Sequence, residues 1–237
     1  KLRRQESGTD FQRLALHEIV CISGLWIDEQ GSMKIFSFSR EQHSESEILT
    51  KFLSIFDKRN PTLVSWNGSQ FDLPVILFRA MYHGLSAPSL FDQGEIDQQK
   101  RYNNYQNRYH HRHVDLMDIM AMFNGRHFQK LDDVAHLLGY PGKRGDGAYH
   151  VPEYVHQQEW QKLTSYCEAD VLNTWLVYLR WLLLKGQLLL NDYRDLVQQT
   201  IQFLSTQAQH ADFLAIWRDT SQRTEFTAVD FISFPTH

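Results

Sequence analysis

A chain of 237 residues, 42% hydrophobic and 22% charged, has the composition of an ordinary globular protein and is long enough for one large domain with a substantial core. Its net charge of −4 gives no overall cationic surface, so nucleic acid would have to be met by a local basic patch or through bound metal cations. Two cysteines far apart in sequence, Cys21 and Cys167, argue against a disulfide framework or a zinc site and fit a reducing cytosol. "KLRRQESGTDFQ" has no apolar core after its basic start, and the longest apolar run, 175–184, is too short for a bilayer and contains Arg180. The expectation is therefore a cytoplasmic protein with no membrane association.

Residues 1–10 are polar and read as a mobile lead-in. "HEIVCISGLWID" (17–28) predicts a strand, "EQGS" a turn, and "MKIFSFSR" (33–40) the second arm of a hairpin. Ser44 or Ser46 can cap a helix on which Ile48, Leu49, Phe52, Ile55 and Phe56 recur at helical spacing, and "NP" at 60–61 ends it. "TLVSW" (62–66) reads as a short, fully buried strand. From Leu73 a helix follows, with Leu73, Ile76, Leu77, Ala80 and Met81 on one face and Gly84 as its stop.

Residues 87–113 are different in kind: polar, aromatic and locally basic, and read as one long loop. "VDLMDIMAMF" (114–123) predicts a helix capped by Asp115, and "KLDDVAHLLGYPG" (130–142) a second one, stopped by Gly139 and Pro141. "KRGDGAYHV" is a glycine-containing turn. A single long helix then covers 158–186, with its apolar seam at Leu172, Leu176, Leu179 and Leu183, and the rest is helical. The order predicts a mixed α/β layer with a sheet covered by helices.

Two places carry candidate chemistry. Asp72 lies in "NGSQFDLP", between an apolar strand and a helix with Pro in its first turn. An N-cap accounts for it fully, since the carboxylate can accept from orphan amides and oppose the helix dipole. Asn67 and Gly68 are equally well explained as turn residues. The second place is "YCEAD", where Tyr166 and Asp170 are one helical turn apart on one face, off the apolar seam. Such a pair can ligate a hard cation and orient a bound water, or be a surface tyrosine hydrogen-bonded to an aspartate. In the long loop, Lys100, Arg101, Tyr102, Tyr105, Arg108, Tyr109 and Arg112 mix phosphate-neutralising charge with stacking surface, as single-strand binders do. A solvated loop whose aromatics fold onto the core explains them as well. The histidines, including "HHRH" at 110–113, lack zinc-ligand spacing.

Taken in order, "NGSQFDLP", "HVDLMDIM", "KLDDVAHLLGYPGK" and "YCEADVLNTW" resemble one family, from about Phe11 to Gly186. This is the DEDDy 3′–5′ exonucleases of ribonuclease-H-like fold, in the prokaryotic group related to the exonuclease domain of family B DNA polymerases. The resemblance implies a ribonuclease-H-like domain over 1–186 and a helical C-terminal extension over 187–237. It implies a metal-dependent 3′–5′ exonuclease that cleaves 3′ ends of single-stranded DNA with two divalent cations, Mg²⁺ or Mn²⁺; RNA is not distinguished from DNA by these residues. It carries the active site onto Asp72, Tyr166 and Asp170, with Asp72 and Asp170 as metal ligands and Tyr166 aligning the attacking water. Asn67, Phe71, Arg108 and Lys143 are the expected substrate-side residues, although Phe71 is equally suited to the core. Asp115 is assigned to capping or support, not to metal ligation.

One part of the pattern is missing. The family opens with a central strand carrying D-x-E, and nothing of the kind precedes "LALHEIV", where Glu6 and Asp10 stand in a polar stretch. A central strand missing from the sheet would leave two edges unpaired. The expectation is an N-terminally truncated chain with weak or no activity of its own. The alternative is a protein that has lost the motif and acts as a catalytically inactive nucleic-acid-binding or interaction module.

Overall fold

The computed structural model describes residues 12–143 and 148–223. The hairpin forms as the alternation predicts: β1 (Cys21–Ile27) pairs antiparallel with β2 (Met33–Ser39), Cys21 opposite Ser39 and Ile27 opposite Met33. Ser44 then starts α1 (Glu45–Arg59) with a reciprocal capping box, its side chain accepting from Glu47 N–H while Glu47 reaches back to the Ser44 amide. Asn60, left-handed at φ +43, closes it. β3 (Leu63–Ser65) is shorter and less buried than the apolar run suggests, because among the described residues it pairs only with β4 (His113–Asp115), in parallel.

α2 (Asp72–Tyr82) buries Val75, Ile76 and Ala80, while Met81, expected on the inner face, is 71% exposed. The segment expected as a helix over 114–123 instead begins as strand β4 and continues as a short helix, α4 (Leu116–Met120). The β-branched Val114 beside Leu63–Ser65 makes strand pairing the better use of these backbone groups.

The long loop is ordered from within. After a short α3 (Pro88–Phe91), the Asp92 carboxylate accepts from the amides of Gly94, Glu95, Ile96 and Asp97. Burial pushes that carboxyl up, but these four bonds hold it well below the usual carboxylate range. Tyr105 is buried edge-on against Phe56, and its hydroxyl donates to the Pro61 carbonyl at 2.5 Å. Lys100 donates to the Ser89 carbonyl and Arg112 to that of Asn60. Much of the loop's basic and aromatic content is thus structural, as the fold-back reading expects, although Tyr102 and Tyr109 stay exposed.

α5 (Leu131–Leu137) and α6 (Val151–His156) lead into α7 (Trp160–Leu184), which packs on β1, β2, β3, α5 and α6. α8 (Leu190–Ser205) and α9 (Ala211–Arg223) are the last elements of the described residues, and Leu204, Phe213 and Trp217 share one buried cluster with Leu116, Leu172 and Leu176. A second cluster, around Ile48, Leu49, Phe56, Val75, Ile76 and Tyr105, joins α1, α2 and the ordered loop. Both cysteines are free thiols, and no helix among the described residues is long and apolar enough to cross a membrane. The mixed α/β class is as expected, but the described strands form two separate two-stranded sheets.

Glu45, at the start of α1, ties the second cluster together. It is 3% exposed and receives Arg79 through two donors, His83 Nε2 at 2.8 Å and the Ile19 amide at 2.7 Å. Burial pushes its carboxyl up, but Arg79, His83 and Ile19 outweigh it and hold it at about 2. Because the folded-state value is depressed, this stabilisation is present above the unfolded value of 4.5 and is lost as pH falls towards 2. The protein is expected to lose about 3 kcal/mol over that interval from this residue. Glu45→Ala, which strands Arg79 in a partly buried site, should cost about 3–5 kcal/mol near pH 7 in urea unfolding. A variant whose acid unfolding curve matches that of the parent would contradict this.

Candidate active site

The turn between β3 and α2 is shaped from a neighbouring strand. Asn67 is left-handed at φ +66, a conformation asparagine tolerates better than most side chains. A Cβ on Gly68 would stand 2.4 Å from Ser65 Oγ, so only glycine fits there. Ser65 pairs with Asp115 in the β3–β4 register, which brings the Asp115 carboxylate under the turn. Its Oδ1 accepts from the Asn67 amide at 2.8 Å, and its Oδ2 accepts from the Ser69 amide at 2.9 Å and from the Ser69 hydroxyl. Asp115 therefore fixes this turn and gives α4 no side-chain cap: of the two expected roles, capping or support, it is the support that the structure shows.

The same turn corrects the reading of Asp72 as a helix cap. Phe71 occupies the cap position without a side-chain bond, and Asp72 is the first residue of α2. Its carboxylate stays beside the positive end of the helix dipole, and the residue keeps more than a third of its surface open to water.

Asp170 and Tyr166 approach from α7. Lys143 joins them: its ammonium lies 3.1 Å from Asp170 Oδ2 and donates to the Tyr166 hydroxyl at 2.9 Å, 4.9 Å from the centre of the ring. Lys143 is held by its own backbone, since its amide donates to Asp132 Oδ1 at 2.5 Å. Gly142, at φ +65, is clamped by the fully buried Asn173, whose Oδ1 accepts from the Gly142 amide and whose Nδ2 donates to the Gly142 carbonyl, both at 3.0 Å. A Cβ at 142 would come within 2.3 Å of the His136 ring.

The carboxylates sense one another. Although Asp72 as a residue is more than a third exposed, the protein packed around its carboxyl group desolvates it and, with the charges of Asp115 and Asp170 adding to this, pushes the carboxyl up to about 6. Asp170 is also raised, by burial first; Lys143 opposes this and Asp132 reinforces it. Burial pulls Lys143 down, but Asp170 and Tyr166 outweigh it and keep the ammonium protonated. The Tyr166 hydroxyl is raised by burial and by the charge of Asp170, so it is a neutral donor at ordinary pH.

Asp170 Oδ1 is buried and has no hydrogen-bond partner among the described residues. An orphaned carboxylate oxygen near a second, crowded carboxylate has the hard donor chemistry that divalent cations take. Among the described residues, however, no group of three or more His, Cys, Asp or Glu side chains is disposed to hold a metal ion. The donors present thus fit part of a cation site.

The remaining expected residues fall in different places. Asn67 serves the turn through its backbone. Phe71 meets His17 edge-on at 5.1 Å and packs on the second core cluster, which is the core alternative. Arg108 is held in a two-point pair with Asp118, which is 3% exposed, so its charge is already matched. Lys143 is brought to Asp170 and Tyr166. Glu6 and Asp10 lie outside the described residues. Asn173 was missed, although a polar side chain between Leu172 and Leu176 on an apolar helix face was a visible signal.

The Asp72 carboxyl should titrate near pH 6 by carbon-detected NMR, and Asp170→Asn should move that midpoint down, since a neighbouring negative charge has gone. A midpoint near 3.8 that ignores the substitution would mean that the two carboxylates are not neighbours.

No curated protein and no solved structure matches the chain. A family model described as a predicted 3′–5′ exonuclease related to the exonuclease domain of PolB matches residues 9–220. With that match spanning most of the chain, the protein belongs to this family of predicted 3′–5′ exonucleases related to the PolB exonuclease domain.

Proposed function

We propose that this chain contributes to a metal-dependent 3′–5′ exonuclease of ribonuclease-H-like fold, hydrolysing phosphodiester bonds at 3′ ends of single-stranded DNA. What supports the reading is that the charge of Asp170, on α7, reaches Asp72, at the start of α2, while Tyr166 stands one helical turn before Asp170 and shares Lys143 with it. Family membership supplies nucleic acid as the substrate class.

In this reading Asp72 and Asp170 are the metal ligands on this chain. Two Mg²⁺ or Mn²⁺ ions, when bound, would supply Lewis-acid stabilisation of the attacking and leaving oxygens. Tyr166, steadied by Lys143 at 2.9 Å, holds the attacking water in line through its neutral hydroxyl. Lys143 and Asp170 are both more than a quarter exposed, so their pair contributes about 1 kcal/mol or less. That is weak enough for the ammonium to turn to a phosphate oxygen of the substrate. Lys143 is then a substrate-side cation, and Asn173 and Asp132 are its positioning residues.

The sheet architecture supports a further element of the reading. Among the described residues β1 pairs only with β2 and β3 only with β4, and both β1 and β3 pack against α7. A strand bearing D-x-E between them would complete one sheet and add two carboxylates to Asp72 and Asp170.

Release of mononucleotides from a 3′-labelled single strand with Mg²⁺ or Mn²⁺ tests this, using the chain joined to a D-x-E strand ahead of Lys1 and the chain without it. The joined protein should be active, and the shorter one weak or inactive. Asp72→Ala and Asp170→Ala should each abolish release, by about 10²-fold or more, and Tyr166→Phe should reduce it less. At subsaturating Mg²⁺ or Mn²⁺ the rate should climb as pH rises through about 6, because protons compete with the cation for the Asp72 carboxylate, and more metal should move that rise to lower pH. Full activity in Asp170→Ala would end the assignment. Strand binding without any release would favour the non-catalytic module.

A further inference from the structure

Beyond α4 the chain turns through Met122 and Phe123, two consecutive non-glycine residues in the left-handed region at φ +53 and +61. Such side chains crowd their own backbone, and two in a row persist only where the surroundings over-determine them. Here the Met122 amide donates to the Ile119 carbonyl and the Phe123 amide to the Asp118 carbonyl, both at 2.9 Å. Arg108, anchored on Asp118, places its guanidinium 5.0 Å from the centre of the Phe123 ring and 6.0 Å from that of Tyr109. The two rings meet edge to face at 4.9 Å.

This organised cluster is not used to fill a core. Tyr109 is 67% exposed, Met122 79% and Phe123 37%. Strain, a two-point ion pair and two aromatic contacts are all spent on holding apolar and π surface in water. Clustered exposed surface of this kind marks a binding site more often than scattered single residues do.

We propose that Tyr109, Met122 and Phe123, braced by Arg108, form a base-stacking subsite for a single-stranded nucleic acid whose 3′ end lies at the Asp72–Asp170 carboxylates; this rests on the exonuclease reading. Aromatic faces with an adjacent guanidinium suit a nucleobase of any sequence. Because Asp118 already matches the charge of Arg108, the subsite recognises a base and not a phosphate. Its place fits too: Arg108 lies within electrostatic reach of Asp115, which pins the turn that leads into Asp72. The subsite would hold a nucleotide upstream of the scissile bond and so favour strands over isolated dinucleotides.

The test is fluorescence anisotropy with a 5′-labelled oligothymidylate of about twelve nucleotides, in EDTA so that nothing is cleaved, with one abasic position stepped inward from the 3′ end. The parent protein should lose on the order of 5- to 100-fold in affinity at one or two adjacent abasic positions. Tyr109→Ala should show a similar loss on the intact strand and no further loss at those positions, and Tyr109→Trp should retain the parent's profile. Met122→Gly relieves the positive φ, so its melting temperature should rise while its strand affinity falls. A flat abasic profile in the parent, or a Tyr109→Ala loss that leaves the profile unchanged, overturns the subsite. Metal-dependent nucleotide release is scored separately: release with a flat profile, or with no binding in EDTA, removes the subsite alone, and the absence of both binding and release removes both readings.

Discussion

The carboxylate of Asp115 is the constraint on which the candidate site depends. It sits at the end of a three-residue strand, and its two oxygens accept two backbone amides and one hydroxyl from the Asn67–Ser69 turn. Hydrogen bonds to a charged acceptor contribute roughly 1.5–3 kcal/mol each, more than a turn of this length could supply from its own contacts. The parallel β3–β4 pairing is what brings Asp115 beneath that turn. With the turn fixed, α2 begins at Asp72 and nowhere else, and the Asp72 carboxylate is aimed without being consumed as a cap.

Crowding of like charge is the cost of that arrangement. Burial first, and then the charges of Asp115 and Asp170, push the Asp72 carboxyl to about 6; among the described residues Lys143 pairs with Asp170 and Arg108 lies within electrostatic reach of Asp115. Lys143 is itself held through the Gly142 clamp of Asn173 and through Asp132, so the positive charge is placed as deliberately as the negative ones. In contrast, the Glu45–Arg79–His83 cluster has its charges fully matched and its carboxyl depressed. The two clusters illustrate opposite uses of a buried carboxylate: matched charge stabilises a fold, whereas an orphaned oxygen with a raised carboxyl nearby is what a ligand can complete.

Much of this was legible in the residues. The hairpin followed from alternation, α1 from the helical spacing of its apolar residues after a serine cap at 44 or 46, and the one-turn spacing of Tyr166 and Asp170 from helical geometry. The loop over 87–113 was less legible, because its order comes from the Asp92 and Tyr105 side chains bonding to partners whose positions the local pattern does not encode. The same applies to Arg108: a basic residue among tyrosines suggests phosphate contact, yet its partner Asp118 stands ten residues away on another element. The segment 114–123 misled for a related reason, since short apolar runs fit a strand or a helix and only the partner strand decides between them.

By itself the sequence determined the chemistry available: which residues bear carboxylates, that Tyr166 and Asp170 share a helix face, and that Asp72 begins a helix after a tight turn. These follow from backbone periodicity and from local turn preferences, which act over a few residues. Only the tertiary structure decided that the charge of Asp170 reaches Asp72, that Asp115 braces the turn in place of capping a helix, and that Lys143 stands on Asp170. Those relations join segments tens of residues apart, and they are set by strand register and helix packing, which no local pattern can specify.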